Sequence, residues 1–201
     1  MDGQYTELAG EKTLETTVRN LQERGFETTV VENKEEALEE IKRSIPTGAS
    51  VMNGSSTTLQ EIGFVDYVNE EKHEWNNLHT HVLAEKDGGK QAELRRKSLL
   101  ADYFLASVNA VAETGELVAT DNTGSRVGAL PYTAKHIILI VGTNKIVPSL
   151  EEALKRVWEY VFQLEDERMM KAYHMHTGLG KTVILHHERM AGRTTVILVK
   201  E

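Results

Sequence analysis

The run His136-Ile137-Ile138-Leu139-Ile140-Val141, followed at once by Gly142-Thr143-Asn144-Lys145, restricts the fold more than any other stretch of the chain. A strand with one face in water alternates apolar and polar side chains, whereas a near-continuous apolar strand must be covered on both faces. Helices on either side of a parallel sheet do this. In open sheets of that kind the ligand crevice lies outside the carboxyl ends of the strands, which makes Asn144 and Lys145 candidate ligand residues. The expected fold is a three-layer, Rossmann-like α/β open sheet, mostly parallel, with antiparallel C-terminal edge strands from Thr182 onward. At 201 residues, a single domain over residues 1–201 is the simplest division, and it is large enough to bury most of its apolar surface.

The first third alternates helix and strand. Leu14, Val18 and Leu21 recur at helical spacing before Gly25, a residue suited to the left-handed position after a helix. Phe26 to Val31 reads as a strand. Asn33 is placed to cap a helix carrying Ala37, Leu38, Ile41 and Ile45 on one face, stopped by Pro46 and Gly48. Val51 and Met52 form a short strand leading into Gly54-Ser55-Ser56-Thr57 and a helix start. A strand, a Gly/Ser loop and a helix start form an arrangement that binds phosphate or carboxylate through backbone N–H groups, although Ser and Thr are equally ordinary helix caps. Val65 to Gly89 is polar and irregular. Lys90 to Ala106 reads as a helix with Leu94, Leu99, Leu100, Tyr103 and Phe104 on a wide apolar stripe. Ser149 and Glu152 form a capping-box pair opening a helix with Ala153, Leu154, Val157, Trp158, Val161 and Leu164 inside. Thr182 to His187 and Thr194 to Val199 are two last strands.

Composition removes whole classes of function. The chain has no Cys, which leaves no disulfide framework, no thiolate metal cluster and no Cys nucleophile. A net charge of −8 argues against nucleic acid, whose binding sites cluster Lys and Arg. The local run Arg95-Arg96-Lys97 reads as a solvated helix face. No stretch reaches the roughly 18 apolar residues of a membrane span, and Met1-Asp2-Gly3-Gln4 lacks the blocks of a signal peptide. The expected location is cytoplasmic.

Two further Gly-containing turns carry charge. Glu113-Thr114-Gly115 interrupts the apolar run from Val108 to Val118, and Asp121-Asn122-Thr123-Gly124-Ser125-Arg126 sets small polar residues beside a fixed positive charge, a plausible anion cradle. Asp121 and Asn122 also suit a simple Asx turn. A single Lys such as Lys145 pairs with a ligand anion or merely covers apolar surface with its stem.

The runs NGSSTTLQEIGF, ADYFLASVNAVAETGELVATDNTGSRVGAL and IILIVGTNKIVPSLEEALKRVWE together resemble the lactate utilization (LUD) domain family. The resemblance covers roughly Ala37 to Val161 and, more loosely, the last two strands. It implies a fold of the NagB/RpiA/CoA-transferase-like superfamily, a link to oxidation of L-lactate to pyruvate, and iron–sulfur redox proteins as partners. Relatives with these motifs often carry a Cys-rich stretch after the long helix; here Ala172 to Gly178 occupies that place without a thiol. No iron–sulfur cluster is therefore expected in this chain, and no other cofactor is assigned to it.

The site expected from these features is a crevice for a small organic anion, carboxylate or phosphate, between Gly54, Ser55, Ser56 and Thr57, Glu113, Thr114 and Gly115, and Asp121, Gly124, Ser125 and Arg126, with Asn144 and Lys145 at its edge. Two function classes stand side by side. One is a CoA-transferase-like acyl- or phosphate-handling enzyme with Glu113 as nucleophile or base, a role implied by the superfamily resemblance. The other is a non-catalytic subunit or ligand sensor. His174, His176, His186 and His187 match no metal spacing, so no metal site is assigned. Gly178 to Thr182 lacks the earlier Gly of a phosphate-binding P-loop. A homodimer is expected from the region of Trp75.

Overall fold

Helix α1 (Glu11–Glu23), strand β1 (Glu27–Val31), helix α2 (Lys34–Ser44) and strand β2 (Ser50–Asn53) follow in the order that the periodicity predicts. The computed structural model describes residues 5–70 and 73–201; the expectation drawn from Met1 to Gln4 lies outside them. The end of α1 is followed by Gly25 at φ 85°. Asn33 accepts a hydrogen bond from the Glu36 N–H at 2.9 Å and so opens α2, satisfying one of the four orphan donors of a helix start.

The chain continues through α3 (Thr57–Glu61), α4 (Phe64–Asn69), β3 (Asn76–Asn77), α5 (Leu78–Ala84), α6 (Gly88–Ser98), β4 (Tyr103–Ala106), β5 (Ala110–Ala112), β6 (Leu117–Asp121), β7 (His136–Gly142) and β8 (Ile146–Val147). It ends with α7 (Leu150–Arg156), a π-helical turn over Val157–Val161, α8 (Phe162–Tyr173), β9 (Lys181–Leu185) and β10 (Thr194–Val199). The Ser149 Oγ accepts from the Glu152 N–H at 3.2 Å, so the cap at the start of α7 forms as the pattern predicts.

The main sheet has the order β1-β10-β7-β4-β2-β3 and every pairing in it is parallel. The side chains of β7 divide between its two faces. Ile137, Leu139 and Val141 join one core cluster with Leu14 and Leu21 of α1, while Ile138 and Ile140 join another with Ala37 and Ile41 of α2, Leu59 of α3 and Phe64 of α4. A second, mixed sheet of order β8-β5-β6-β9 lies on the α1 side. Its Val111, Leu117 and Ala119 belong to the same cluster as α1, and its Ala110 and Val118 pack with Ala153 and Val157 of the α7 segment. The α/β, Rossmann-like, mostly parallel architecture is thus present, with an additional sheet beneath the main one.

Two expectations are corrected. The antiparallel C-terminal edge is β9 alone, paired with β6 in the second sheet. Strand β10 lies inside the main sheet, parallel to β1 and β7, because Val196 and Leu198 face one core and Ile197 and Val199 the other. The helix read from Lys90 to Ala106 stops at Ser98. Phe104 and Leu105 belong to opposite core clusters, the period-two signature of a strand buried on both faces. Trp75 is packed within the chain: its Nε1 donates to the Ile45 carbonyl at 3.2 Å and its ring stacks on His73. Among the described residues, no helix is long and apolar enough to cross a membrane.

Candidate anion site at the carboxyl ends of the main-sheet strands

Strands β2, β4 and β7 run parallel, so their carboxyl ends deliver Asn53, Ser107 and Gly142 to one rim. A cleft of about 770 Å³ opens there. It is lined by Gly54, Ser55, Ser56, Thr57 and Thr58, by Ser107 to Asn109, by Asp121, Ser125 and Arg126, by Asn144 and Lys145, and by Arg156.

Three cations meet on the short segment that follows β4. Lys145 Nζ donates to Ser107 Oγ and Thr58 Oγ1, both at 2.8 Å, and to the Val108 carbonyl at 3.3 Å. Arg126 Nη1 donates to the Ser107 carbonyl at 2.8 Å, and Nη2 to Asn109 Oδ1 at 3.3 Å and to the Thr120 carbonyl. Arg156 Nη1 donates to the Asn109 carbonyl and Nη2 to the Tyr5 carbonyl at 3.3 Å, while its guanidinium lies over the Tyr5 and Tyr160 rings. The buried Arg156 Nε has no hydrogen-bond partner among the described residues.

None of these three cations forms a salt bridge with a carboxylate among the described residues. The contrast with two other arginines is direct. Arg24 is held by Glu116 at 2.6 Å and Arg193 by Glu188 at 2.8 Å. Lys145 bears the cost in its proton affinity: burial, then the charges of Arg156 and Arg126, lower its pKa from 10.5 to about 7, with Glu61 opposing. Burial likewise lowers Arg156 to about 10, against the favourable influence of Tyr160 and Tyr5. Burial lowers Arg126 as well, offset by Asp121 and Glu165.

The loops expected to form the site divide. The Gly54–Thr57 loop, Asp121, Ser125, Arg126, Asn144 and Lys145 all line the cleft. Ser56 Oγ accepts from the Leu59 N–H at 3.3 Å, so this hydroxyl caps α3. Asp121 Oδ1 accepts from the Thr123 N–H and Oδ2 from the Arg126 N–H, the local turn role weighed for it, and this fixes the backbone that carries Arg126. Gly124 sits beside the Lys181 stem and does not line the cleft.

Glu113, Thr114 and Gly115 are elsewhere, which corrects the expected shared crevice. They form the hairpin turn between β5 and β6, with Gly115 at φ 96°. Because β5 starts at the cleft and runs away from it, the turn lies at the far end of the second sheet, roughly 13 Å of strand from Asp121. Its contacts are with the C-terminal turn of α1: Asn20 Nδ2 donates to the Glu113 carbonyl at 2.6 Å, and Arg24 Nε to the Thr114 carbonyl at 2.7 Å. Sequence reasoning missed Thr58, Ser107, Asn109 and Arg156. For Arg156 a signal existed, since it falls between Ala153 and Val157 on the buried stripe of its helix and is itself 3% exposed.

Of the four late histidines, His176 pairs with Asp166 at 2.9 Å. Among the described residues no group of three His, Asp or Glu side chains is arranged to hold a metal ion.

The family model of the LUD domain matches residues 14–199. The chain belongs to the LUD domain family. Among solved structures, this LUD domain is similar to a DUF162 family protein from Deinococcus radiodurans, with 16% identity, a TM-score of 0.58, and coverage of 96% of this chain and 99% of that one. It also matches ribose 5-phosphate isomerase A from Methanocaldococcus jannaschii at 12% identity and a TM-score of 0.41, over 84% of this chain and 94% of that one. No curated protein matches the chain significantly. Family membership makes a lactate-utilization-related role the coarse functional assignment of this LUD domain.

Proposed function

We propose that this LUD-domain protein binds a small organic anion, a carboxylate or phosphate, in the cleft where Lys145, Arg126 and Arg156 converge. The observation that carries the proposal is the charge imbalance: three cationic side chains share the acceptors of Ser107, Val108 and Asn109, with no carboxylate in salt-bridge contact among the described residues. Burying a charge with no counter-charge in contact is costly, and like charges sharing one site add to the cost. A bound anion supplies what is missing. Donors remain for it, because a guanidinium carries five N–H groups and those of Arg126 and Arg156 are only partly used.

The family's connection with lactate utilization makes hydroxy and oxo monocarboxylates the first anions to test. Calorimetric titration with L-lactate, pyruvate and inorganic phosphate, against neutral lactamide, tests the reading. Saturable binding of at least one anion, lost in Arg126→Ala, is the expected result. Equal indifference to all four compounds would remove it.

A further inference from the structure

The cleft contains a group that anion binding alone does not require. Two guanidinium groups are the better devices for holding a planar carboxylate, since they present paired donors. Lys145 is instead a primary amine set between two hydroxyls, Thr58 Oγ1 and Ser107 Oγ, each at 2.8 Å. Resting on the anion reading above, we infer that the Lys145 amine condenses with the carbonyl of a small 2-oxo acid in this cleft, while Arg126 and Arg156 hold the acid's carboxylate.

The geometry has the parts such a condensation needs. A lysine becomes a nucleophile when it is desolvated and set beside other cations, which disfavour its protonated form. Lys145 meets both conditions, and its pKa of about 7 leaves a substantial neutral fraction near neutrality. As an ammonium it donates to both hydroxyls and to the Val108 carbonyl. As a free amine it has two N–H groups and one lone pair, and a hydroxyl on either side can donate as well as accept. Neither hydroxyl has to move for the change.

The step balances without an oxidant or a reductant. The nitrogen lone pair forms a C–N bond to the carbonyl carbon, and the carbonyl oxygen takes the proton released by nitrogen, giving a carbinolamine. The C–O bond then breaks as water leaves with the second nitrogen proton, and an imine remains. The net change is amine plus ketone to imine plus water. Thr58 and Ser107 are placed to pass the proton between nitrogen and oxygen, and the negative acid is retained by the two guanidinium groups. A neutral ketone has no such hold.

The test is reductive trapping of the wild-type protein with pyruvate and cyanoborohydride, read by intact mass and then by peptide mapping. The expected result is one added three-carbon acid per chain, carried on Lys145, suppressed by excess L-lactate, which competes for the anion site but has no carbonyl. Lys145→Met should remove the adduct; if that variant does not fold, the wild-type peptide map decides alone. No adduct, or labelling spread over exposed lysines such as Lys90 and Lys135 without preference for Lys145, overturns the inference. Calorimetry with L-lactate on the same preparation separates the two readings. Lactate binding without an adduct sinks the condensation and leaves the anion site standing, whereas binding of neither acid removes the anion site first.

Discussion

Gly54 lies flat against the stem of Arg126: a Cβ added at Gly54 would come within 2.5 Å of Arg126 Cγ and 2.8 Å of Cδ. The loop after β2 and the loop after β6 therefore approach as closely as they do because position 54 lacks a side chain. Arg126 cannot swing aside freely, since its far end is pinned to the carbonyls of Ser107 and Thr120 and its backbone N–H to Asp121.

It follows that Gly54→Ala acts on the site through Arg126. The overpacking should cost about 1–3 kcal/mol of stability. Displacing the guanidinium should weaken anion binding about tenfold, equivalent to roughly 1.4 kcal/mol. Calorimetric titration beside a urea melt measures both. A variant that loses stability but binds the anion with unchanged affinity would show that Arg126 is not part of the binding surface.

The pH dependence of the site should be set by Lys145, with Arg126, Arg156 and Glu61 as the charges acting on it. Its folded pKa of about 7 lies below its ordinary 10.5. Between those values the unfolded chain holds more protons, so the contribution of Lys145 to stability rises as pH climbs through this window and is lost as pH falls through about 7. A bound anion favours the ammonium form, so ligand-induced stabilisation should run the opposite way, largest below about 7 and smaller above it. Thermal midpoints with and without ligand across this range test the prediction, and Lys145→Met should flatten the ligand-dependent slope.

The hairpin that carries Glu113 should be separable from the site. Glu113→Gln should leave anion affinity unchanged, because the turn lies at the other end of the second sheet and its contacts there are made by the Glu113 main chain. Gly115→Ala should destabilise by about 1–3 kcal/mol, since φ is 96° and the new Cβ would meet the Asn20 carbonyl oxygen at 2.8 Å. A large loss of anion binding in Glu113→Gln would contradict this placement of function.

What could be read from the sequence follows a physical division. Local signals were readable: the Asn33 and Ser149 caps form, and the apolar run at His136 is the doubly covered strand it had to be. The carboxyl ends of the strands do hold the cleft, because a parallel sheet brings Asn53, Ser107 and Lys145 to the same side. Strand order was not readable. Thr194 to Val199 is as apolar as β7, yet nothing local says that it enters between β1 and β7 instead of lying at an edge. The position of Glu113 depends on the direction of β5, three residues in a second sheet that no local pattern sets apart from the first. The helical phase after Arg156 departs from the expected stripe for another reason. The π-helical turn at Val157–Val161 changes the register, and Trp158 and Leu164, expected inside, are 60% and 50% exposed.

That same turn follows directly on Arg156, and the side chain gives the most demanding prediction. Its fork reaches the Asn109 and Tyr5 carbonyls while its face lies 5.1 Å from the Tyr160 ring centroid and 5.8 Å from that of Tyr5. Lysine keeps the charge but has neither the fork nor the plane. Arg156→Lys should therefore lose about 1–3 kcal/mol of stability through the carbonyls left without donors. It should also lower anion affinity while the net charge of the cleft is unchanged. If Arg156→Lys instead binds the anion as well as the parent protein does, charge alone governs the site, and the directional role of the guanidinium is wrong. Measuring affinity for a planar carboxylate and for tetrahedral phosphate in the same variant sharpens the result: the loss should be larger for the carboxylate, whose two oxygens the fork matches.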